Sequence, residues 1–90
     1  MSSSVAEKPI LIVSADDFGL TERVSDGIID AHERGVVSST SVIAVAPAFA
    51  SSAKRLRDVP TLGVGAHFTA VGEDPPLLSA REIPTLVDKN

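Results

Sequence analysis

Cysteine is missing altogether from the 90 residues, so disulfides and thiolate-held metals are excluded and nothing points to an oxidising compartment. Tryptophan and tyrosine are missing too, and phenylalanine occurs only three times, which leaves little for a site that grips its ligand by aromatic stacking. Basic charge is in short supply. Eight Lys and Arg stand against twelve Asp and Glu, for a net charge of -4, so a nucleic-acid partner, which wants a basic face, is not expected. Apolar runs such as Ile10-Leu11-Ile12-Val13 fall far short of the roughly 20 residues of a transmembrane helix. The opening residues, 1–8, hold no apolar stretch of the kind a secretory signal carries, and they are expected to be a frayed terminus of a cytoplasmic protein.

What is present reads as globular. Hydrophobic residues make up 43% of the chain, too many for a disordered protein. At this length one small domain is the upper limit, burying roughly 60–65% of its unfolded surface. The run Pro9 to Ser14 is short, apolar and β-branched, as suits a strand buried on both faces of a parallel sheet. Thr21 is a plausible N-cap for a helix reaching Arg34, with Val24, Gly27, Ile28 and Ala31 at i, i+3, i+4 and i+7 as its apolar face and Gly35 at its end. A second strand is expected within 36–45, a second helix from Ala48 to Arg57 with Phe49, Ala53 and Leu56 inward, and a third strand over Leu62 to Phe68. Beyond Ala70 the pattern dissolves, with a loop over 72–76 and one helical turn within 79–87, broken by Pro84.

The order β-α-β-α-β implies right-handed crossovers and a parallel sheet in an α/β fold. Three strands and two helices leave open edges and a poorly covered face, so residues 9–90 are expected to be one part of a longer domain, or to be completed by partner chains as a homo-oligomer.

Asp16 and Asp17 follow the first strand, and sites in such sheets lie beyond the carboxyl ends of the strands. With the two carboxylates aimed differently, one can hold a cation while the other takes a proton from water. Gly19 lets the chain turn just after them. His67, at the end of the third strand, opens onto the same edge, and carboxylate plus neutral imidazole is an ordinary shell for Zn²⁺, Mn²⁺, Co²⁺ or Ni²⁺. Bland readings stand beside this one. An Asp-Asp pair can be a turn and cap, and a lone strand histidine is more often a core residue. His32 is expected to be a solvated helix residue, and Ser38 to Ser41 a solvated strand entry.

The run Ile10 to Leu20, with Ala15-Asp16-Asp17-Phe18-Gly19 at its centre, resembles the opening strand and motif of the YdjC-like carbohydrate deacetylases. Ala31-His32-Glu33-Arg34-Gly35-Val36-Val37, Ser39-Thr40-Ser41 and Leu62-Gly63-Val64-Gly65-Ala66-His67-Phe68 are similar to later stretches of that family, although Ala66 and Phe68 replace two leucines. The resemblance implies the first part of a distorted (β/α) TIM-like barrel and the removal of acetyl groups from N-acetylated sugars. It implies a divalent metal (Zn, Mg, Mn, Co or Ni) held by Asp17 and His67, with Asp16 as general base. It also implies a third ligand and a catalytic acid further downstream, so the 90 residues alone are expected to be inactive. Pro75-Pro76-Leu77-Leu78 and Glu82 to Asp88 resemble the branch associated with hopanoid biosynthesis, whose members act on a glucosamine-bearing hopanoid. Two rivals remain at this stage. One is a non-catalytic truncated module that folds by oligomerising. The other is a receiver-like signalling domain, which places an acidic pair after its first strand to bind Mg²⁺.

Overall fold

A computed structural model describes residues 8–72 and 74–88; the frayed terminus expected for 1–8 falls almost wholly outside them. Three strands, β1 (Ser14–Phe18), β2 (Ser39–Val42) and β3 (Gly63–Ala66), form one parallel sheet in the order β1-β2-β3. Helix α1 (Glu22–Glu33) crosses from β1 to β2. Helix α2 (Phe49–Arg55), continued by a 3-10 turn over Leu56–Asp58, crosses from β2 to β3. The α/β class and parallel sheet are therefore as expected. The strand order also sets the chain apart from a receiver-like domain, in which the first strand lies between the second and third.

Several boundaries differ from the sequence reading. The first strand is not the apolar run 9–14 but Ser14–Phe18, which carries both aspartates, and Ile10, Leu11 and Ile12 are exposed rather than buried on two faces. Nothing among the described residues packs over them, so the hydropathy that suggested burial has no partner here. β2 and β3 are shorter than expected, and His67 lies one residue beyond β3, although its N–H still donates to Val42 O at 2.9 Å. The C-terminal stretch holds the turn anticipated, with Ile83 N–H donating to Ser79 O, and a second one beyond it, with Leu86 N–H donating to Ile83 O at 3.0 Å.

Each α1 end has a local cause. Thr21 is extended, and its Oγ1 accepts the Val24 N–H at 3.0 Å, satisfying one of the free amides of the first turn. Arg34, rather than Gly35, is the C-cap. Gly35 follows where a Cβ would stand 2.7 Å from Ala31 O, so no other residue fits without moving the chain. The buried stripe of α1 is Ser25, Ile28 and Ile29, with the half-buried His32 continuing it at i+7. That is one residue round from the face expected from hydropathy, because two of the four inward positions are polar.

The core lies on the helical side of the sheet. Phe18, Ile28, Ile29, Val42, Val59 and Leu62 are buried together, with Val24, Phe49 and Leu56 packed against them. The helices are also tied to each other at the surface, by Arg55 on Asp26 and Ser51 on Glu22. On β2 the alternation is clear: Thr40 and Val42 are buried toward the helices, while Ser39 and Ser41 face the other way. Register pairs those two serines with Gly63 and Gly65, so the non-helical face of β2 and β3 carries no large side chain.

His32 is not the solvated residue expected. Its Nδ1 lies 2.7 Å from Val37 O and must donate to it, and its Nε2 lies 2.7 Å from the Thr61 hydroxyl. The ring therefore clamps the end of α1 to the segment that leads into β3.

Candidate active site

The site begins with an irregularity in β1. Ala15 pairs with Thr40 and Phe18 with Val42, so Asp16 and Asp17 together stand opposite the single residue Ser41. One extra residue has been fitted into β1, which is a β-bulge. Asp17 adopts φ 75°, the left-handed region that aspartate tolerates better than most residues, and Gly19 follows at φ 96°. The bulge breaks the alternation of the strand and aims the two carboxylates differently.

Backbone and hydroxyl bonds brace the bulge on both sides. Thr40 Oγ1 donates to Ala15 O at 2.6 Å before it, and Ile43 N–H donates to Phe18 O at 2.8 Å after it. Leu20 N–H closes a tight turn onto Asp17 O at 3.1 Å. Gly19 N–H donates to the buried Ser25 Oγ at 2.9 Å, so α1 holds the turn from below. Phe18, fully buried, anchors the segment in the core.

Asp17 and His67 converge. The carboxylate Oδ1 and the ring Nδ1 are 3.0 Å apart, with side chains 44% and 37% exposed. The Nδ1 atom itself is shielded from solvent and makes no hydrogen bond, because Asp17 lies within range but off the line along which the ring could donate. Two polar atoms that approach closely without bonding each other suit a shared third partner. Ligands about 2.0–2.2 Å from one ion stand about 3.0–3.5 Å from each other, and this pair meets that spacing. The donor set, one carboxylate and one imidazole, suits a divalent metal, so the residues present fit such an ion. Among the described residues no third His, Cys, Asp or Glu joins them.

Asp16 takes a different direction. Its Oδ1 accepts a hydrogen bond from Ser41 Oγ at 2.9 Å, on the sheet face away from the helices. The structure thus brings Asp17 and His67 together and leaves Asp16 beside them, bonded to β2.

Asp17 and His67 line one wall of a cleft of about 210 Å³, with Leu20, Ile43, Thr69 and Asp74 among its other walls. Val45 and Thr69 also border a neighbouring groove of about 350 Å³, whose walls include Pro76, Leu77, Leu78 and Leu86. Sequence reasoning missed Ser25 and Thr69, small hydroxyl residues without a motif of their own, and read Ser41 as part of a solvated strand entry, whereas its hydroxyl bonds Asp16. Nothing in hydropathy marked them, since the structure alone puts Ser25 on the inward stripe of α1 and Ser41 opposite the acidic pair. No helix among the described residues is long and apolar enough to cross a membrane.

Known proteins resemble this chain in sequence and fold. Residues 10–90 match the family model described as YdjC-like protein. A carbohydrate deacetylase of Enterococcus faecalis is 43% identical over 81 residues, covering 88% of this chain and 31% of the relative. A chitooligosaccharide deacetylase of Salmonella schwarzengrund is 46% identical over 59 residues, covering 66% of this chain and 23% of the relative. Among solved structures, an Enterococcus faecalis protein described as a candidate cellobiose-phosphate cleavage protein superimposes with a TM-score of 0.77 at 42% identity, over 87% of this chain and 31% of that one. The chain spans about a third of the length of the Enterococcus relative.

Proposed function

The chain belongs to the YdjC-like family, and on that premise we propose that it carries part of the active site of a metal-dependent hydrolase that removes acetyl groups from N-acetylated amino sugars. The observation that carries this reading is the bulge at Asp16 and Asp17, which sets one carboxylate against an unsatisfied His67 nitrogen and leaves the other free to act on a proton. The names of the relatives, carbohydrate deacetylase and chitooligosaccharide deacetylase, support the substrate class.

In this reading Asp17 Oδ1 and His67 Nδ1 are two ligands of a divalent ion. When bound, such an ion polarises the amide carbonyl and lowers the pKa of water, in known zinc enzymes to about 7. Asp16 keeps one carboxylate oxygen on Ser41 and presents the other to take the proton as water attacks. Leu20, Ile43 and Val45 supply an apolar wall of the cleft. A third ligand and the acid that protonates the leaving amine lie outside the described residues in this proposal. The rest of a (β/α) barrel would bring them, and would also cover the edges of the sheet. Strands paired in chain order, as here, are what the start of such a barrel requires. Self-association through those edges is the rival way of covering them.

The finer substrate reading is a glucosamine-bearing hopanoid. The groove that shares Val45 and Thr69 with the cleft favours it, because its mostly aliphatic walls suit a hydrocarbon body while the cleft beside Asp17 and His67 takes the sugar. The test is acetate release by the purified, Zn²⁺-supplemented full-length protein from di-N-acetylchitobiose and from an N-acetylglucosaminyl lipid. Asp16→Asn is expected to retain metal and lower turnover by about 10²–10⁴-fold, the ordinary contribution of a general base. Retained turnover in that variant removes Asp16 from its role, and release from neither substrate removes the deacetylase reading.

A further inference from the structure

We propose that Ser41 is a positioning residue for the proton-accepting carboxylate, an inference that rests on the reading of Asp16 as the base. Three hydroxyl side chains in β2 or just before it reach across to the first strand and the residue leading into it. Ser38 Oγ accepts from Val13 N–H at 3.1 Å, and Thr40 Oγ1 donates to Ala15 O at 2.6 Å. Both bonds tie β2 to the backbone of β1, and both are explained by strand pairing. Ser41 differs. It reaches past the backbone to a side chain, donating to Asp16 Oδ1 at 2.9 Å.

Register makes this contact possible. The pairing of Ser14 with Ser39 and of Ala15 with Thr40, carried on by one residue before the bulge, sets Asp16 beside Ser41 on the same face of the sheet. Asp16 is otherwise exposed, and an exposed carboxylate samples several rotamers. One charge-assisted bond fixes it, and it also decides which oxygen works. Oδ1 is occupied by Ser41, so Oδ2 is the atom left to receive a proton. Holding a reacting group in one geometry is a recognised source of rate, and loss of that geometry at a distance from the chemistry lowers kcat rather than substrate binding. On the far side of Ser41, register places Gly65, where a Cβ would meet nothing closer than Thr40 O at 4.0 Å. A methyl group added at position 41 therefore has room.

The experiment uses the full-length, Zn²⁺-loaded protein with di-N-acetylchitobiose as probe and acetate release as readout. Ser41→Ala is expected to lower kcat about tenfold with KM, bound zinc and melting temperature unchanged, and Ser41→Thr to restore the rate. Because the effect passes through Asp16, Asp16→Ala and the Asp16→Ala/Ser41→Ala double variant are expected to be equally slow. A Ser41→Ala enzyme at the wild-type rate, or a double variant slowed tenfold further, overturns the proposal while leaving the base in place. An Asp16→Ala enzyme at the wild-type rate instead overturns the reading of Asp16 itself. A crystal structure of Ser41→Ala serves independently of turnover. The Asp16 carboxylate is expected to leave its single orientation, and a carboxylate unmoved from its wild-type position overturns the positioning role.

Discussion

Asp17 is asked to do two things that substitution can separate, and the separation has a sign. Its backbone sits at φ 75°, and its carboxylate faces His67 Nδ1. The left-handed region costs an ordinary L-residue roughly 1–2 kcal/mol, less for Asn and Asp and nothing for Gly, which instead loses about 0.5–1 kcal/mol through its more mobile unfolded chain. Substituting Ala, Asn and Gly at this position removes the same charge from beside Asp16, so relief of that repulsion is common to all three and cancels between them. The contact with His67 is lost equally, and with side chains 44% and 37% exposed it contributes little. What remains is conformational. Asp17→Gly and Asp17→Asn should be more stable than Asp17→Ala by about 0.5–1 kcal/mol. With an m-value near 1 kcal/mol/M, usual for a small domain in urea, the denaturation midpoints of the metal-free variants should separate by about 0.5–1 M. Zinc binding by calorimetry should follow a different order. All three variants lack the carboxylate, and loss of a mere outer partner already lowers affinity about 10–100-fold, so each should bind zinc at least about a hundredfold more weakly than the parent. Equal midpoints for the Ala and Gly variants would refute the bulge conformation in solution. Parental zinc affinity in any of them would refute the ligand role.

Two further outcomes follow from the same scaffold. Gly19→Ala places a Cβ 3.2 Å from Ile43 O at φ 96°, and it should lower stability in urea by about 1–3 kcal/mol, with loss of zinc affinity as the turn below Asp17 shifts. His32→Leu removes both clamp bonds and strands Val37 O, and it should destabilise by about 1–3 kcal/mol while slowing turnover through displacement of β3; an unchanged melting temperature would show that the ring does not hold Thr61 in solution.

The parts of the fold that were legible in the sequence are those governed by local chemistry. The α1 limits are read from Thr21 and Gly35, and the β-α-β-α-β order from the alternation of β-branched runs with capped, periodic stretches. The strand limits were not legible, because the strongest apolar run, Ile10 to Val13, is not where the ladder forms. Pairing in a parallel sheet is decided by what lies opposite. The partners of β2 are Ser14, Ala15 and Phe18, which puts both aspartates inside the strand. The face of α1 was misplaced by one residue for a related reason. Ser25 and His32 point inward because each has a backbone partner there, Gly19 N–H and Val37 O, and a hydropathy count cannot see a satisfied polar group.

The same blindness explains why the candidate site was only half legible. Asp16, Asp17 and His67 could be picked out as candidates from spacing, since all three lie near the carboxyl ends of parallel strands. The resemblance implied different roles for the two aspartates, but the geometry that gives them different surroundings was not legible, because it depends on a bulge, and a bulge is a mismatch in count between two strands rather than a property of either. In a regular β1 the two carboxylates would alternate, one toward the helices and one away, and the one facing Phe18, Ile28 and Val42 would be buried in an apolar core at heavy cost. The extra residue avoids that burial. It turns Asp17 out at the end of the strand toward His67 and leaves Asp16 on the open face with Ser41, while Phe18 takes the core position that the second aspartate would otherwise have occupied. The irregularity that defeats prediction of the strand is thus the feature that makes an acidic pair compatible with a folded sheet and gives its two members different surroundings.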